Sequence, residues 1–317
     1  MVQRRSSYIY LNGLRMHYLA WEPGLEGEPG LHDKPGLDDE PGLDGEPLEP
    51  ALVLLHGLAS NARIWDKVGP RLAARGYRVY ALDQRGHGQS DKPENGYDFA
   101  SLSRDLLAAL DAWFLTHPVL VGHSWGASVV LDFTARYGVG PYAPKAAVLV
   151  DGGVVRLNNG PEDDWESVRE RLKPPKLAGM NVDEFLSRVR RNQSLWQGDD
   201  EILQIVLANF EVLEDETIRP HLSLENHLKI LRAMWEFDPY ETLRKVRCSV
   251  KAILAQPANP DGDEFFRRKQ LGATAAQQAN PQLQVDWIRD SIHDLPLQRP
   301  DVLAGLIIST FASAANR

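Results

Sequence analysis

The chain opens on two short runs, Tyr8-Ile9-Tyr10-Leu11 and an alternating apolar–polar stretch ending at Trp21, separated by Asn12-Gly13. Asn-Gly supplies the positive φ angles that a tight hairpin demands, so residues 8–21 are predicted to fold as a β-hairpin. Farther along, near-continuous apolar runs at 51–55, 77–82, 119–122, 146–150, 250–255 and 283–288 read as strands. A strand with one wet face would alternate, whereas runs this uniformly apolar suit a sheet covered on both faces. Helix-like stretches lie between them at 63–75, 101–114 and 127–137, and in the second Leu102, Leu106, Leu110 and Trp113 recur at helical spacing. The alternation predicts an α/β fold, a mostly parallel twisted sheet wrapped by helices.

Two segments break the pattern. Pro23-Gly24-Leu25 recurs with a period of six as Pro29-Gly30-Leu31, Pro35-Gly36-Leu37 and Pro41-Gly42-Leu43, with acidic residues between the copies. Proline and glycine at this density preclude a helix or a central strand, and one leucine per copy buries little. Residues 22–50 are therefore expected to form a mobile surface loop. Deleting 24–46 should leave melting temperature and turnover nearly unchanged, because excising a flexible loop alters closure entropy little; calorimetry on the deletion variant checks this. The second break runs from 156 to 245, rich in helix formers and carrying Trp165, Trp196 and Trp235. It reads as several helices without strands, a cap inserted between two strands over the carboxyl edge of the sheet, where clefts of α/β proteins lie. The predicted division is a core of 1–155 and 246–317 and a helical cap of 156–245.

Composition narrows the function classes. Hydrophobic residues make up 43% and charged residues 25% of the 317, as in ordinary soluble domains. The net charge of −9 argues against nucleic acid, which requires a basic face. No stretch approaches the ~18 apolar residues of a membrane span, and the N-terminal residues lack the apolar core of a secretory signal. The single cysteine, Cys248, precludes an intramolecular disulfide and suits a reducing cytoplasm, where the protein is expected to reside. The expected partner is a small-molecule substrate, with neither nucleic acid nor membrane involved.

The chemistry concentrates at Gly122-His123-Ser124-Trp125-Gly126, which follows a short apolar strand and opens a helical stretch. G-x-S-x-G between strand and helix is the setting of a nucleophile elbow, a turn too sharp for Cβ atoms where strand and helix approach. It would lift the Ser124 hydroxyl above the sheet edge, with helix N–H groups aimed at developing negative charge. A serine hydroxyl needs a base, and nine histidines compete for that role. His293 is set apart by position, in a short loop after the last predicted strand and before a helix entered at Pro296. His123 reads as a packing residue, and His227, within the cap segment, as a candidate lining of the cleft. No cluster of His, Asp or Glu has metal-ligand spacing, so neither metal nor cofactor is expected.

The chain resembles the α/β-hydrolase superfamily over 8–21 and 51–313. Besides the elbow, the match is carried by Val53-Leu54-Leu55-His56-Gly57-Leu58, by Asp83-Gln84-Arg85-Gly86-His87-Gly88-Gln89-Ser90, and by His293-Asp294-Leu295-Pro296. The resemblance implies an oxyanion hole built from the backbone N–H groups of Leu58 and Trp125. It gives His56 a bracing role and makes the turn at 83–90 a buttress of the cleft. The acid of the triad departs from the common family pattern. That pattern places it after the strand at 250–255, where the loop is interrupted by prolines; Asp261 is the candidate there, and Asp263 looks like a helix N-cap. Asp151, directly at the end of the strand at 146–150, occupies the place some family members use instead. Asp151 is preferred, with Asp261 as the alternative.

The resemblance implies a cofactor-free serine hydrolase acting on a small or medium carboxylic ester. C–C bond hydrolases, amidases, lactonases and perhydrolases share the same triad and stay open, as does a non-catalytic member of the fold that binds a small ligand or protein.

Overall fold

The computed structural model describes residues 2–23 and 48–312. The repeat segment and its predicted mobility therefore fall almost wholly outside the described residues. Ten strands are present among them: β1 (Arg4–Leu11), β2 (Leu14–Trp21), β3 (Leu48–Leu55), β4 (Tyr77–Leu82), β5 (Val119–His123), β6 (Ala146–Val150), β7 (Phe210–Val212), β8 (Ile218–Pro220), β9 (Ser249–Ala255) and β10 (Gln284–Ile288). Eight of them form one sheet in the order β1-β2-β4-β3-β5-β6-β9-β10. The hairpin strands β1 and β2 are antiparallel to their neighbours, and every other pairing in that sheet is parallel. Asn12 at φ 51° and Gly13 at φ 80° make the hairpin turn, the left-handed pair that matches the twist of its strands.

The apolar runs are explained by two covered faces. Along β3, Leu52 and Leu54 enter one core, and Ala51, Val53 and Leu55 enter the other. The first core is closed by Leu72 of α1 (Gly69–Ala73) and by Leu303, Ile307 and Phe311 of α12 (Pro300–Ala312). The second is closed by α2 (Phe99–Ala112), α3 (Trp125–Arg136) and α10 (Glu264–Ala279), through Leu102, Leu106, Val129, Phe133, Ala273 and Ala276 among others. Side chains alternate in direction along a strand, so a sheet with helices on both sides needs apolar residues at every position.

Three expectations need correction. The helix predicted over 63–75 is a 3₁₀ turn at Ala62–Trp65 followed by the separate α1. Pro70 lacks the N–H a continuing helix requires, but fits the first turn of a new one. β3 starts at Leu48, earlier than the run at 51–55, with a register shift between Leu48 and Leu52 that accommodates Pro50. The segment between β6 and β9 contains strands as well as helices. It runs through α4 (Trp165–Arg171), α5 (Val182–Arg191), α6 (Gln193–Trp196), α7 (Asp200–Leu207), the β7–β8 hairpin, α8 (Leu224–Glu236) and α9 (Pro239–Leu243). Three-residue strands leave almost no alternation to read. Their turn is fixed by polar chemistry instead, since the Asp215 carboxylate accepts from both the N–H and the hydroxyl of Thr217.

Phe185, Val189, Leu203 and Ile218 form a small core within this inserted segment, while Ile230 of α8 and Leu243 of α9 join the larger one. Among the described residues no helix is long and apolar enough to cross a membrane.

Candidate active site

β5 delivers the chain to Ser124 at φ 55° and ψ −120°, and α3 begins at the next residue. A non-glycine residue in that region is strained by steric repulsion at its Cβ and persists only when its surroundings fix it. Here the Ser124 N–H donates to the Val150 carbonyl at 2.8 Å, and its own carbonyl accepts from Ala127 N–H at 3.0 Å. The glycines are required by approach distance: a Cβ on Gly122 would lie 2.2 Å from the Gly126 carbonyl oxygen, and one on Gly126 would lie 2.5 Å from that of Leu55. A third glycine, Gly152, supports the elbow from β6, since a Cβ there would lie 2.1 Å from the Ser124 carbonyl oxygen. The contact is with backbone, which cannot swing away. Gly152→Ala should therefore destabilise the fold by about 1–3 kcal/mol, as overpacking does, and thermal unfolding of the variant tests this.

Asp151 follows β6, and its N–H donates across to the Ile253 carbonyl of β9 at 2.8 Å. Its side chain is fully buried and accepts at every side. Oδ1 takes the Ala255 N–H at 2.8 Å and Lys269 Nζ at 2.7 Å; Oδ2 takes Lys269 Nζ at 3.0 Å and His293 Nδ1 at 2.7 Å. Burial alone would raise the Asp151 pKa, but the hydrogen bonds and charges of His293 and Lys269 outweigh it and hold the carboxyl below its ordinary value. An ionised Asp151 fixes the proton of His293 on Nδ1 and leaves Nε2 as the basic nitrogen. The His293 side chain is 45% exposed; desolvation of its inner part lowers its pKa, the Asp151 hydrogen bond and charge raise it, and the net direction is upward.

The loop carrying His293 is held from several sides. Ser291 N–H donates to the Gln256 carbonyl at 2.9 Å and Ile292 N–H to Gln298 Oε1 at 2.8 Å. His123 Nε2 donates to the His293 carbonyl at 2.9 Å, with the two rings 4.8 Å apart. Burial, followed by the charge of His293, pulls the His123 pKa down to about 4, so His123 is neutral at working pH. The expected packing residue thus also anchors the His293 backbone. Among the described residues no hydrogen bond joins the Ser124 hydroxyl to His293, and such bonds often tighten only with substrate in place.

Asp261 is exposed, in the loop before α10, and does not reach His293. In the same loop Asp263 caps α10 by accepting from Phe266 N–H at 2.9 Å. Of the two candidate acids, the structure brings Asp151 to His293 and leaves Asp261 exposed. The turn after His56 packs on Ser124, since a Cβ on Gly57 would lie 3.0 Å from Ser124 Cβ. Its closing bond runs from Ser60 N–H to the Gly57 carbonyl at 3.3 Å and leaves the Leu58 N–H out of it. Trp125 is the first residue of α3, and the N–H groups of a first helical turn have no partner within the helix. His56 is buried, donating from Nδ1 to the Gly57 carbonyl at 2.8 Å and accepting at Nε2 from Gln84 N–H at 3.0 Å. His87 stacks on Trp125 and accepts from Ala59 N–H at 3.3 Å.

A second Ser–His–Asp chain occurs in the molecule: Ser6 Oγ lies 2.8 Å from His17 Nε2, and His17 Nδ1 lies 2.7 Å from Asp83 Oδ2. Ser6 sits within β1, paired with Leu19, so no helix N-terminus faces its hydroxyl. Asp83 also accepts from Ala62 and Gln89 N–H groups, and the chain ties the hairpin to the turn at 83–90. The two sets share the 2.7 Å His–Asp bond; the serine–histidine bond is present only at Ser6, and the elbow only at Ser124.

Two cavities adjoin the site. The larger, of about 820 Å³, is lined by His87 and by residues of the inserted segment including Phe210, His221 and His227; the smaller, of about 190 Å³, is lined by Leu58, Asp294 and Leu297 among others. Ser124 and His293 line neither, but the two share Ala59, Ser60 and Asn209, one turn past the glycine that touches Ser124.

Sequence reading missed Lys269. Its signal is positional: Phe266, Lys269, Ala273 and Ala276 are the buried stripe of α10, and a lysine on an apolar stripe needs a buried acidic partner. No group of three or more His, Cys, Asp or Glu positioned to hold a metal ion occurs among the described residues.

A family model for the alpha/beta hydrolase fold matches residues 50–193. The chain is 35% identical over 102 residues to 2-(acetamidomethylene)succinate hydrolase of Mesorhizobium japonicum, which is 32% of this chain and 35% of that protein. It is 41% identical over 86 residues to epoxide hydrolase B of Mycobacterium tuberculosis, 26% of this chain and 24% of that protein. These matches span about a third or less of the relatives' own length. Over whole chains, the crystal structure of E-2-(acetamidomethylene)succinate hydrolase superposes with a TM-score of 0.73 at 17% identity, covering 98% of this chain and 100% of the other. With the sheet order, the strained elbow and these likenesses in agreement, the chain has the α/β-hydrolase fold.

Proposed function

We propose that the protein is a serine hydrolase that cleaves a small or medium carboxylic ester through an acyl-enzyme on Ser124. The observation that carries this reading is the 2.7 Å bond from His293 Nδ1 to the buried Asp151, on a loop anchored to the residue before the strained Ser124 elbow. In the first step His293 Nε2 takes the hydroxyl proton as Ser124 Oγ attacks the ester carbonyl. The Leu58 and Trp125 N–H groups would meet the oxyanion, each donor being worth about 3–4 kcal/mol in barrier. His293 then returns the proton to the leaving alcohol as the C–O bond breaks, and water activated by the same imidazole releases the acid. In this reading the acyl or alcohol portion would extend into the cavities that meet at Ala59 and Ser60, past the Gly57 turn.

Activity on p-nitrophenyl esters of graded chain length, with an amide, a lactone and a peroxide-dependent perhydrolysis assay alongside, tests the reading. Ester turnover dependent on Ser124 supports it; turnover confined to the amide or lactone moves the protein to that class, and ligand binding without turnover of any of them rejects it. The pH profile carries a further expectation. A base works only when deprotonated, and the His293 pKa lies above its ordinary 6.5. The acid limb of kcat/KM should therefore have its midpoint above pH 6.5, with activity falling as pH drops through it.

A further inference from the structure

We propose that Lys269 is a positioning residue for the reaction, an ammonium that clamps both oxygens of Asp151 and offsets its charge so that His293 can release its proton each cycle. The inference rests on the triad reading above and extends it to a residue on a different element. Lys269 is 6% exposed, and its three protons meet three acceptors: Asp151 Oδ1 at 2.7 Å, Asp151 Oδ2 at 3.0 Å and the Ala255 carbonyl at 3.1 Å. Such a network is costly in desolvation, and an apolar residue on the same stripe of α10 would pack more cheaply. What the cation changes is the field at the imidazole. Asp151 from the end of β6 and Asp294 in the same loop favour a charged His293; Lys269 from α10 and His123 from the end of β5 oppose it. Without Lys269, the buried carboxylate would favour the imidazolium more strongly and raise the pH at which His293 loses its proton.

The test uses the full-length protein with Lys269→Met and Lys269→Arg. Lys269→Met should move the acid limb of kcat/KM for p-nitrophenyl acetate upward by about one pH unit, an ordinary size for removal of one nearby charge. Turnover at pH 7 would fall several-fold and recover at higher pH, whereas Lys269→Arg should keep the limb near its wild-type position. An unmoved limb in Lys269→Met would overturn the proposal, because a merely structural role lowers activity at every pH alike. NMR titration of the His293 ring in a Ser124→Ala background reads the same coupling without turnover. An upward midpoint there in a protein lacking ester activity would uphold Lys269 and reject the ester; ester turnover with an unmoved midpoint would do the reverse. Should the methionine variant not fold, Lys269→Gln, which keeps a neutral donor, carries the same two measurements.

Discussion

Ser124→Ala and His293→Ala should each lower kcat for ester hydrolysis by about four to six orders of magnitude, and the double variant should lose little more than either alone. Nucleophile and base act as one unit, so once either is gone the other has nothing left to contribute. The residual rate would report the oxyanion donors and binding. Steady-state kinetics on a p-nitrophenyl ester measures the loss, and a fluorophosphonate label followed by mass spectrometry locates the reactive oxygen. The label should sit on Ser124 and disappear in Ser124→Ala. A label on Ser6, whose hydroxyl lies 2.8 Å from His17 Nε2, would show that hydrogen bonding to a histidine suffices for reactivity without an elbow. Retention of a rate within tenfold of wild type in either single variant would remove that residue from the mechanism.

The second large effect falls on Asp151. Asp151→Asn keeps the shape but cannot hold the His293 proton on Nδ1 as a carboxylate does, and should lower kcat by about 10³–10⁴. Asp261→Asn, altering an exposed residue remote from the pair, should stay within about twofold of wild type. Stability separates the roles further. Asp151→Ala would leave the buried Ala255 N–H without its acceptor and the Lys269 ammonium with the Ala255 carbonyl alone, and breaking a buried ion pair from one side costs about 3–5 kcal/mol. Ser124→Ala removes only a hydroxyl from a strained residue and should not lower stability comparably. Thermal unfolding of Asp151→Ala and Ser124→Ala beside the kinetics would show whether Asp151 serves fold and function together. Equal melting temperatures for Asp151→Ala and wild type would contradict the buried network.

The strands, the elbow and the histidine loop were legible in the linear chain because each is a local pattern. Uninterrupted apolar runs mark a sheet buried on both faces, Gly122 and Gly126 mark a turn with no room for Cβ atoms, and Asn12-Gly13 marks a hairpin. Where local pattern was thin, the reading erred. Three-residue strands at Phe210–Val212 and Ile218–Pro220 have too little periodicity to announce themselves, and the Gly69-Pro70 step divides what apolar spacing alone presents as one helix. Sequence preferred Asp151 to Asp261 from its place directly at a strand end, but contact with His293 is a tertiary fact: sheet order sets β6 beside β5, Asp151 Oδ2 lies 2.7 Å from His293 Nδ1, and Asp261 stays exposed in the loop before α10. Lys269 belongs to the same category. Its helical position put it on an apolar stripe, but only the packing of α10 against the end of β9 showed the carboxylate there to receive it. Sequence by itself determined the elements and the residue types able to do the chemistry, because backbone propensity and burial pattern act over a few neighbours. Tertiary structure decided which charges share one buried pocket, because that depends on distances between residues more than a hundred positions apart.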